Sequence, residues 1–226
     1  MKILFLCICS LINLAYSKES KEFDASIIKS IEISNPNGEI FVTSSHSIKK
    51  IIVTIDKVKF DKKCHFNLSS DLGIVSAKVE QENALFEKST CISKLKVEIP
   101  LEKLIDIEVS SGSSNIKLIN IQGKIDFITA TGSVQIIGDI LKNIDGKTAT
   151  SKVHISYKKC PGRADINLIT ATGDTEIELP SDCKILVSHK SATGELFNEI
   201  GENENYLVHI NSRSAAGNLK IKKSKK

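Results

Sequence analysis

The sequence Thr129-Ala130-Thr131-Gly132 recurs along the second half of the chain with small changes. Its copies are Ser111-Gly112-Ser113-Ser114, Thr148-Ala149-Thr150-Ser151, Thr170-Ala171-Thr172-Gly173, Ser191-Ala192-Thr193-Gly194 and Ser214-Ala215-Ala216-Gly217. Successive copies are therefore spaced fairly evenly along the chain. Their period of roughly 20 residues predicts an all-β fold, a β-solenoid in which each repeat forms one coil resembling that of a parallel β-helix.

The residues that follow each copy alternate between apolar and polar side chains. The positions two and four after the fourth position hold Ile116, Leu118, Val134, Ile136, Val153, Ile155, Thr175, Ile177, Leu196, Asn198, Leu219 and Ile221. The position between them holds Lys117, Gln135, His154, Glu176, Phe197 and Lys220. Such alternation is typical of a strand with one buried face, with lapses here at Asn198 and Phe197. We therefore expect the aliphatic columns to point inward and the polar column outward.

Two smaller features suggest where strands begin and turn. The second position of every copy is tiny: Gly112, Ala130, Ala149, Ala171, Ala192 and Ala215. We expect these residues to point inward at a tight corner. Glu98-Ile99-Pro100 returns as Glu178-Leu179-Pro180, about four repeats further along the chain. Each proline is expected to mark a strand start or a sheet edge, because proline cannot donate to a ladder.

Residues 1–17 are predicted to be a secretory signal peptide. Lys2 precedes an apolar run that ends at Leu14, and Ala15-Tyr16-Ser17 places small residues at the two positions that a signal peptidase reads. The run is too short to span a bilayer, which needs about 20 apolar residues. We expect cleavage after Ser17 and a periplasmic or extracellular protein that is not an integral membrane protein.

Residues 18–226 are expected to form a single domain, because no linker interrupts them. Within it, residues 24–108 are predicted to form an N-terminal β cap of mixed or antiparallel pairing, 109–222 the coils and 223–226 a basic tail. A cap is expected because an open solenoid end exposes unpaired strand edges.

The predicted cap contains several strand patterns. Asn35-Pro36-Asn37-Gly38 is expected to be a turn between two strands, since Asn-Gly tolerates positive φ. Further strands are expected at 51–58, 64–68, 73–79 and 95–99, joined as hairpins. A polar stretch, 81–90, is expected to be a loop or one helical turn, and a second, 199–206, to interrupt the last coil.

Beyond the predicted signal peptide the chain has an even number of cysteines: Cys64, Cys91, Cys160 and Cys183. In an exported protein this indicates disulfides, with three possible pairings. We favour Cys64–Cys91 and Cys160–Cys183, because the segment between the latter two is about one coil long. A zinc site is the weaker alternative, because the cysteine and histidine spacings of zinc sites are missing.

The small positive net charge, +4, comes from the C-terminal end. Five lysines lie there: Lys220, Lys222, Lys223, Lys225 and Lys226. Two interpretations remain open, a loose soluble terminus or contact with an anionic surface such as phospholipid or acidic polysaccharide. A nucleic-acid surface is not expected, because arginine occurs only at Arg163 and Arg213 and tryptophan is absent.

Motifs of enzyme chemistry are missing from the sequence. It has no nucleophile elbow, phosphate loop, dinucleotide fingerprint or zinc-protease helix. The histidines are His46, His65, His154, His189 and His209, of which no two are at ligand spacing. The acidic residues of the central coils are Asp139, Asp145, Asp165, Asp174 and Glu176, at repeat positions that need not share a face. We predict no catalytic activity, no cofactor and no metal.

The order of these motifs resembles a family of bacterial exported proteins, the adhesin-like β-strand-repeat family known as domain of unknown function 4097. The resemblance rests on Ile33-Ser34-Asn35-Pro36-Asn37-Gly38, on Val97-Glu98-Ile99-Pro100 and on the repeats from Val109 onward. It implies a β-solenoid in the cell envelope and brings no catalytic residues. The chain departs from the family pattern at Ser114 and Ser151, which stand at glycine positions, and in its four cysteines.

These observations predict a non-catalytic envelope protein whose regular surface binds or scaffolds an envelope protein or polysaccharide. Two alternatives remain open. One is a glycan-active β-helix enzyme, which requires two carboxyl groups within roughly 5–10 Å of each other. The other is a self-assembling envelope element that stacks end to end through its open coils.

Overall fold

The computed structural model describes residues 18–82, 91–139 and 142–224, and these ranges contain strands and no helix. The predicted signal peptide and most of the polar stretch 81–90 lie outside them. The strands are β1 (Lys18–Phe23), β2 (Ser30–Ser45), β3 (Ile51–Lys59), β4 (Cys64–Asp71), β5 (Ile74–Gln81), β6 (Ile92–Pro100), β7 (Asp106–Ile119), β8 (Ile125–Thr129), β9 (Ser133–Gly138), β10 (Ile144–Thr148), β11 (Lys152–Tyr157), β12 (Ala164–Thr172), β13 (Thr175–Leu179), β14 (Ile185–Ser191), β15 (Leu196–Asn198), β16 (Val208–Ala216) and β17 (Leu219–Lys223).

The strands form one continuous sheet that turns a corner within each coil and so presents two faces. The long strands β2 and β7 bend at this corner and contribute to both faces. The first face contains β4, β5, β8, β10, β12, β16 and β14. The second face contains β1, β3, β6, β9, β11, β13, β17 and β15.

Successive coils pair in parallel and in register, as expected for a solenoid-like fold. On the first face Ile125, Ile144 and Ile166 are aligned, and each is fully buried. On the second face Ile136 and Ile155 are aligned and equally buried. Burying one such side chain stabilises the fold by about 1.5–3 kcal/mol. The predicted all-β class and inward aliphatic columns are therefore confirmed.

The order of the coils differs from the order of the chain at both ends. After the coil β12–β13 the chain forms the outermost coil, β14–β15. The last coil, β16–β17, is then inserted between the coils β12–β13 and β14–β15. At the other end β2 pairs with β7 on one side and with β5 and β6 on the other. Antiparallel strands β1, β3 and β4 complete that end.

The outermost coil is the least buried part of the repeat region. Leu196 in β15 is 42% exposed, although its counterpart Leu219 in β17 is fully buried. The polar loop that follows β15 folds back over this end, and the backbone N–H of Asn203 donates to the carbonyl of Ile185 at 2.8 Å. The lapse at Asn198 thus belongs to the coil that has a neighbour on only one side.

The tiny residues of the repeat do not point inward, so that expectation is wrong. Ala130 and Ala171 are exposed, whereas Thr129 and Thr170 immediately before them are buried. The strict alternation of the strand continues up to the threonine, which places the next residue outside. At the corner the backbones stack directly, with the N–H of Ala130 donating to the carbonyl of Ser111 at 3.2 Å.

Other local expectations also differ from the structure. Pro100 is the last residue of β6 and Pro180 follows the last residue of β13, so both prolines mark strand ends. Gly38 forms the corner of the bent strand β2 and does not close a hairpin. Among the strands expected to be joined as hairpins, β4 and β5 do form one, whereas β3 pairs with β1 and β6, and β5 also pairs with β2.

Two disulfides fix the sides of the coils. Cys64 is bonded to Cys91, with Cα atoms 5.7 Å apart, and Cys160 to Cys183, at 5.3 Å. These are the pairs that the spacing favours. The second bond joins the segment after β11 to the segment after β13, one coil further on.

Candidate functional site

The outward side of the first face carries a column of acidic side chains. In-register pairing aligns Glu32, Glu108, Asp126 and Asp145 on four successive coils. Neighbouring strands lie about 4.8 Å apart, and like charges directly opposite each other destabilise a sheet. The column therefore requires compensating cations or hydrogen bonds.

Two lysines supply most of that compensation. Lys78 Nζ lies 2.8 Å from Glu32 Oε2. Lys124 Nζ lies 3.0 Å from Asp126 Oδ1 and 2.8 Å from Asp145 Oδ2, and so bridges neighbouring coils. Hydrogen bonds with Asp145 and Asp126 raise the pKa of Lys124 above its ordinary value. The carboxylates are thus held as members of an ion-pair ladder.

The protonation of Asp145 bears on the enzyme alternative. Burial acts to raise the pKa of Asp145, but hydrogen bonds from Lys124 Nζ and Asn167 Nδ2 outweigh it and hold the pKa below its ordinary value. A glycosidase needs one carboxyl group with a raised pKa to act as general acid. Asp126 and Asp145 share the Lys124 ammonium, and the lowered pKa of Asp145 favours its ionised form.

A second outward column runs beside the acidic one. It consists of Ser110, Ile128, Lys147, Ile169, Arg213 and Lys190. Ile128 and Ile169 are 58% and 49% exposed, which is high for large aliphatic side chains. Shallow clefts lie along this column, one of them lined by Asp126, Ile128, Lys147 and Ile169.

The second face brings a histidine and two glutamates together. His154 and Glu176 are paired on β11 and β13, with His154 Nδ1 3.7 Å from Glu176 Oε1. Lys222 Nζ lies 2.6 Å from Glu176 Oε2, and this hydrogen bond raises the pKa of the lysine. Ser156 Oγ donates to Glu178 Oε2 at 3.2 Å.

This cluster contains residues that could hold a divalent cation. One ligand atom each from His154, Glu176 and Glu178 lies within 4.8 Å of the others. Imidazole nitrogen and carboxylate oxygen are ligands that zinc and related metals accept. The ammonium group of Lys222 already pairs with Glu176, so the cluster is also complete as an ion-pair network.

A cleft adjoins the cluster. Its volume is about 520 Å³, and its lining includes Ser156, Tyr157, Glu178, Pro180 and Ser224. Tyr157 is fully buried, and its hydroxyl has no hydrogen-bond partner among the described residues. Burial raises the pKa of Tyr157. The neutral hydroxyl is therefore the stable form of this side chain.

Sequence reasoning missed both groupings, although the repeat contained the signal. His154 and Glu176 stand at the same place, between the two aliphatic positions, in neighbouring copies. Asp145 and Asp165 lie on neighbouring strands of the first face. Asp174, just before β13, and Glu176, within it, lie on the side of the second face. The repeat positions of these acidic residues did not require them to share a face. In the structure they nevertheless lie on the same face two by two.

The C-terminal lysines are in part structural. Lys220, Lys222 and Lys223 belong to β17, and the N–H of Ser224 donates to the carbonyl of Leu179 at 2.7 Å. The chain is therefore part of the sheet up to Lys223 and hydrogen-bonded at Ser224, and the expectation of a loose terminus is wrong for these residues. Lys225 and Lys226 lie outside the described residues.

The fold is similar to that of known structures. A "putative cell adhesion protein" from Clostridium sporogenes superimposes with a TM-score of 0.57 at 12% identity, over 92% of this chain and 100% of that one. A "putative adhesin" from Bacteroides fragilis gives 0.42 at 10% identity, over 92% and 97%. A "putative lipid binding protein" from Parabacteroides distasonis gives 0.38 at 15% identity, over 92% and 97%. At such identities the first of these likenesses shows a shared fold.

Comparison by sequence returned no relative. No known family matches the chain, and no curated protein matches it. Among the described residues no helix has the length and apolar character needed to cross a bilayer.

Proposed function

We propose that this chain is an exported, non-catalytic protein of the cell envelope, adhesin-like in type, whose solenoid surface binds or scaffolds a polymer or protein. The predicted signal peptide, the two disulfides and the fold shared with the Clostridium sporogenes protein support this proposal. The proposal includes one solenoid domain over 18–226 with an N-terminal β cap. It also includes membership of the family that the sequence resembles, domain of unknown function 4097.

The observation that carries the proposal is the regular outward surface. Each face repeats its side chains at intervals of about 4.8 Å along the solenoid axis. A repeated array suits a repeated or extended ligand, because successive coils can make equivalent contacts. The lowered pKa of Asp145 favours binding over acid–base chemistry at the Asp126–Asp145 pair.

Binding can be tested with the chain from residue 18 onward, immobilised and exposed to native envelope extract and to purified envelope polysaccharides. We expect saturable binding of a ligand. A variant of one face should lose this binding, and a variant of the other face should retain it. The first-face variant combines Ile128→Ser and Ile169→Ser, and the second-face variant is His154→Ala. Absence of any ligand up to high micromolar concentration would contradict the proposal.

Two further measurements complete the test. The mass of the protein secreted by the native host should correspond to a chain that begins at Lys18, and a chain that retains Met1 would contradict export with cleavage. Incubation with envelope polysaccharides should release no new reducing ends. Release that disappears in Asp145→Asn would instead establish the glycan-active alternative.

A further inference from the structure

The exposed charges of the first face are arranged in complementary positions about β10. Along the solenoid axis the strands from β2 to β14 are ordered β2, β7, β8, β10, β12, β16 and β14, so that three lie on each side of β10. Beyond β2 the face continues with β5 and β4. The side toward β2 carries Glu32, Asp106 and Glu108. The side toward β14 carries Arg213 and Lys190, together with Asp165, which lies 3.7 Å from His209 Nδ1.

The key charges lie at equal distances from the centre. Glu108 is two coils from β10 on one side, and Arg213 is two coils from it on the other. Both side chains are exposed, and neither forms an ion pair within the described part of the chain. Lys78 is attracted to Glu108 through space, but its ammonium group pairs with Glu32. The charges of Glu108 and Arg213 are therefore available to another molecule.

The exposed aliphatic residues follow the same symmetry. Ile128 is one coil from β10 toward β2, and Ile169 is one coil from it toward β14. Both belong to the column that contains Lys147 and Arg213. A copy related by a twofold axis parallel to β10 would place Ile128 over Ile169 of the other copy.

We propose that the first face is a self-association surface on which a second copy of this chain docks face to face, with the two solenoid axes antiparallel. Glu108 of each copy then lies opposite Asn211 of the other and diagonal to its Arg213, two positions further along β16, while Lys124 lies opposite Asp165 of the other. At the centre Lys147 faces Lys147 of the second copy and Asp145 faces Asp145, and this repulsion is offset by the two diagonal Lys147–Asp145 contacts, since these residues are two positions apart on β10. The occupant is a second copy because the face is complementary to itself in this orientation, with β5 and β4 extending past the end of the partner.

The size of the face predicts a weak dimer. Seven strands at about 4.8 Å and five residues at about 3.3 Å give an area of roughly 29 Å by 16 Å per copy. Two such areas total roughly 900 Å², which is below the about 1,200 Å² at which stable specific interfaces begin. We therefore expect association at micromolar to submillimolar concentration that weakens with salt, because exposed charges are screened. This inference does not depend on the proposed envelope ligand.

The test is a charge exchange followed by analytical ultracentrifugation of the mature chain over about 10 µM to 1 mM at low salt. The single variants Glu108→Lys and Arg213→Glu should each weaken dimerisation at least about tenfold, because each places like charges together. The double variant in one chain restores opposite charges at both contacts, and so does an equimolar mixture of the two single variants. We expect dimerisation to recover in both cases.

Second-face charge changes serve as controls. Lys117→Glu and Glu195→Lys are exposed and should leave the dimer unchanged. A wild-type chain that stays monomeric throughout this range would overturn the proposal. So would single variants that dimerise normally, or a double variant that does not recover while its melting temperature matches the wild type.

Crosslinking gives an independent readout of the geometry. Lys147 lies on the proposed twofold axis, and face-to-face sheets pack about 10 Å apart, so a short thiol-reactive bismaleimide should join Lys147→Cys to its counterpart in the second copy. Lys117→Cys on the second face should not be joined in this way. Equal crosslinking of the two variants, or crosslinking of Lys117→Cys alone, would exclude the face-to-face arrangement.

Discussion

Gly132 lies directly beside the buried Ser114 of the preceding coil, with a φ of +111° that side chains rarely adopt. A Cβ added to Gly132 would collide with the carbonyl oxygen of Ser114. Gly173, with a φ of +114°, has the same relation to the buried Ser151. The serines at glycine positions are therefore part of an alternation, in which a buried serine on one coil supports a glycine corner on the next.

Gly132→Ala should lower the free energy of unfolding by about 2 kcal/mol or more, because it adds backbone strain and a backbone collision. Denaturant unfolding measures the change. Gly162→Ala is the matched control, since no atom lies within 4 Å of the added Cβ. The control should change stability by less than about 0.5 kcal/mol. Equal effects of the two substitutions would refute the role assigned to the corner.

Gly146 and Phe127 share one space in the core. They are in register on β10 and β8, and a Cβ on Gly146 would overlap the ring of Phe127, which is 1% exposed. Gly146→Ala should cost about 1–3 kcal/mol by overpacking. Combination with Phe127→Leu should show a favourable coupling of at least about 0.5 kcal/mol in a double-mutant cycle. Strict additivity would contradict the shared space.

The exposure of the corner alanines changes the prediction for a larger side chain there. Ala171→Leu should alter the free energy of unfolding by less than about 0.5 kcal/mol, because the added atoms point into solvent. Ala77→Leu, at a fully buried position, should cost about 1–3 kcal/mol. Thermal melts of the two variants check the difference, and a larger loss at Ala171 would restore the inward assignment.

Removal of a disulfide should destabilise the chain through its unfolded state. The sequence separation of Cys160 and Cys183 is 23 residues, for which the chain-entropy model gives about 3 kcal/mol. Replacement of both by serine should show this loss in denaturant unfolding. The Cys64 and Cys91 pair, separated by 27 residues, should give a similar loss. Unchanged stability in both serine variants would contradict the prediction.

The burial of His189 should make the folded chain less stable in mild acid. Its ring nitrogens are buried without a hydrogen-bond partner among the described residues, and burial lowers its pKa below the ordinary value of about 6.5. Between the two pKa values the unfolded chain binds more protons, so stability falls as the pH drops below about 6.5. His189→Gln should reduce this fall in melting temperature between about pH 7.5 and 5, as measured by circular dichroism.

A control separates this effect from that of removing any histidine. The His46 side chain is 75% exposed, and His46→Gln should not reproduce the change seen at position 189. The same pH slope in wild type and His189→Gln would show that the buried ring contributes nothing.

Most of the inward surface could be predicted from the sequence. Ile136 and Ile155 stand at equivalent repeat positions and are aligned and buried in the structure. The prediction works because side-chain alternation is a local property of a strand. It failed at Ala130, because the point at which alternation ends depends on how the corner backbones stack.

The candidate sites could be predicted only in part, because they depend on which coils are neighbours. His154 and Glu176 occupy the same position in neighbouring repeats, so their pairing could have been predicted from the sequence. Lys222 could not, since it reaches Glu176 only because β17 is inserted beside β13. The bridge of Lys124 between Asp126 and Asp145 likewise requires that β8 and β10 pair in register on neighbouring coils.

The sequence by itself determined the coil, its period and the residues that point into the core, because these follow from a repeat and an alternation that can be counted. The tertiary structure alone decided the order in which the coils stack. The strands β12, β14 and β16 all begin with inward aliphatic residues, so their alternation does not distinguish β12–β16 from β12–β14 pairing. That choice depends on which coil is best buried between two neighbours, and it places the imperfect Leu196–Asn198 strand at the end.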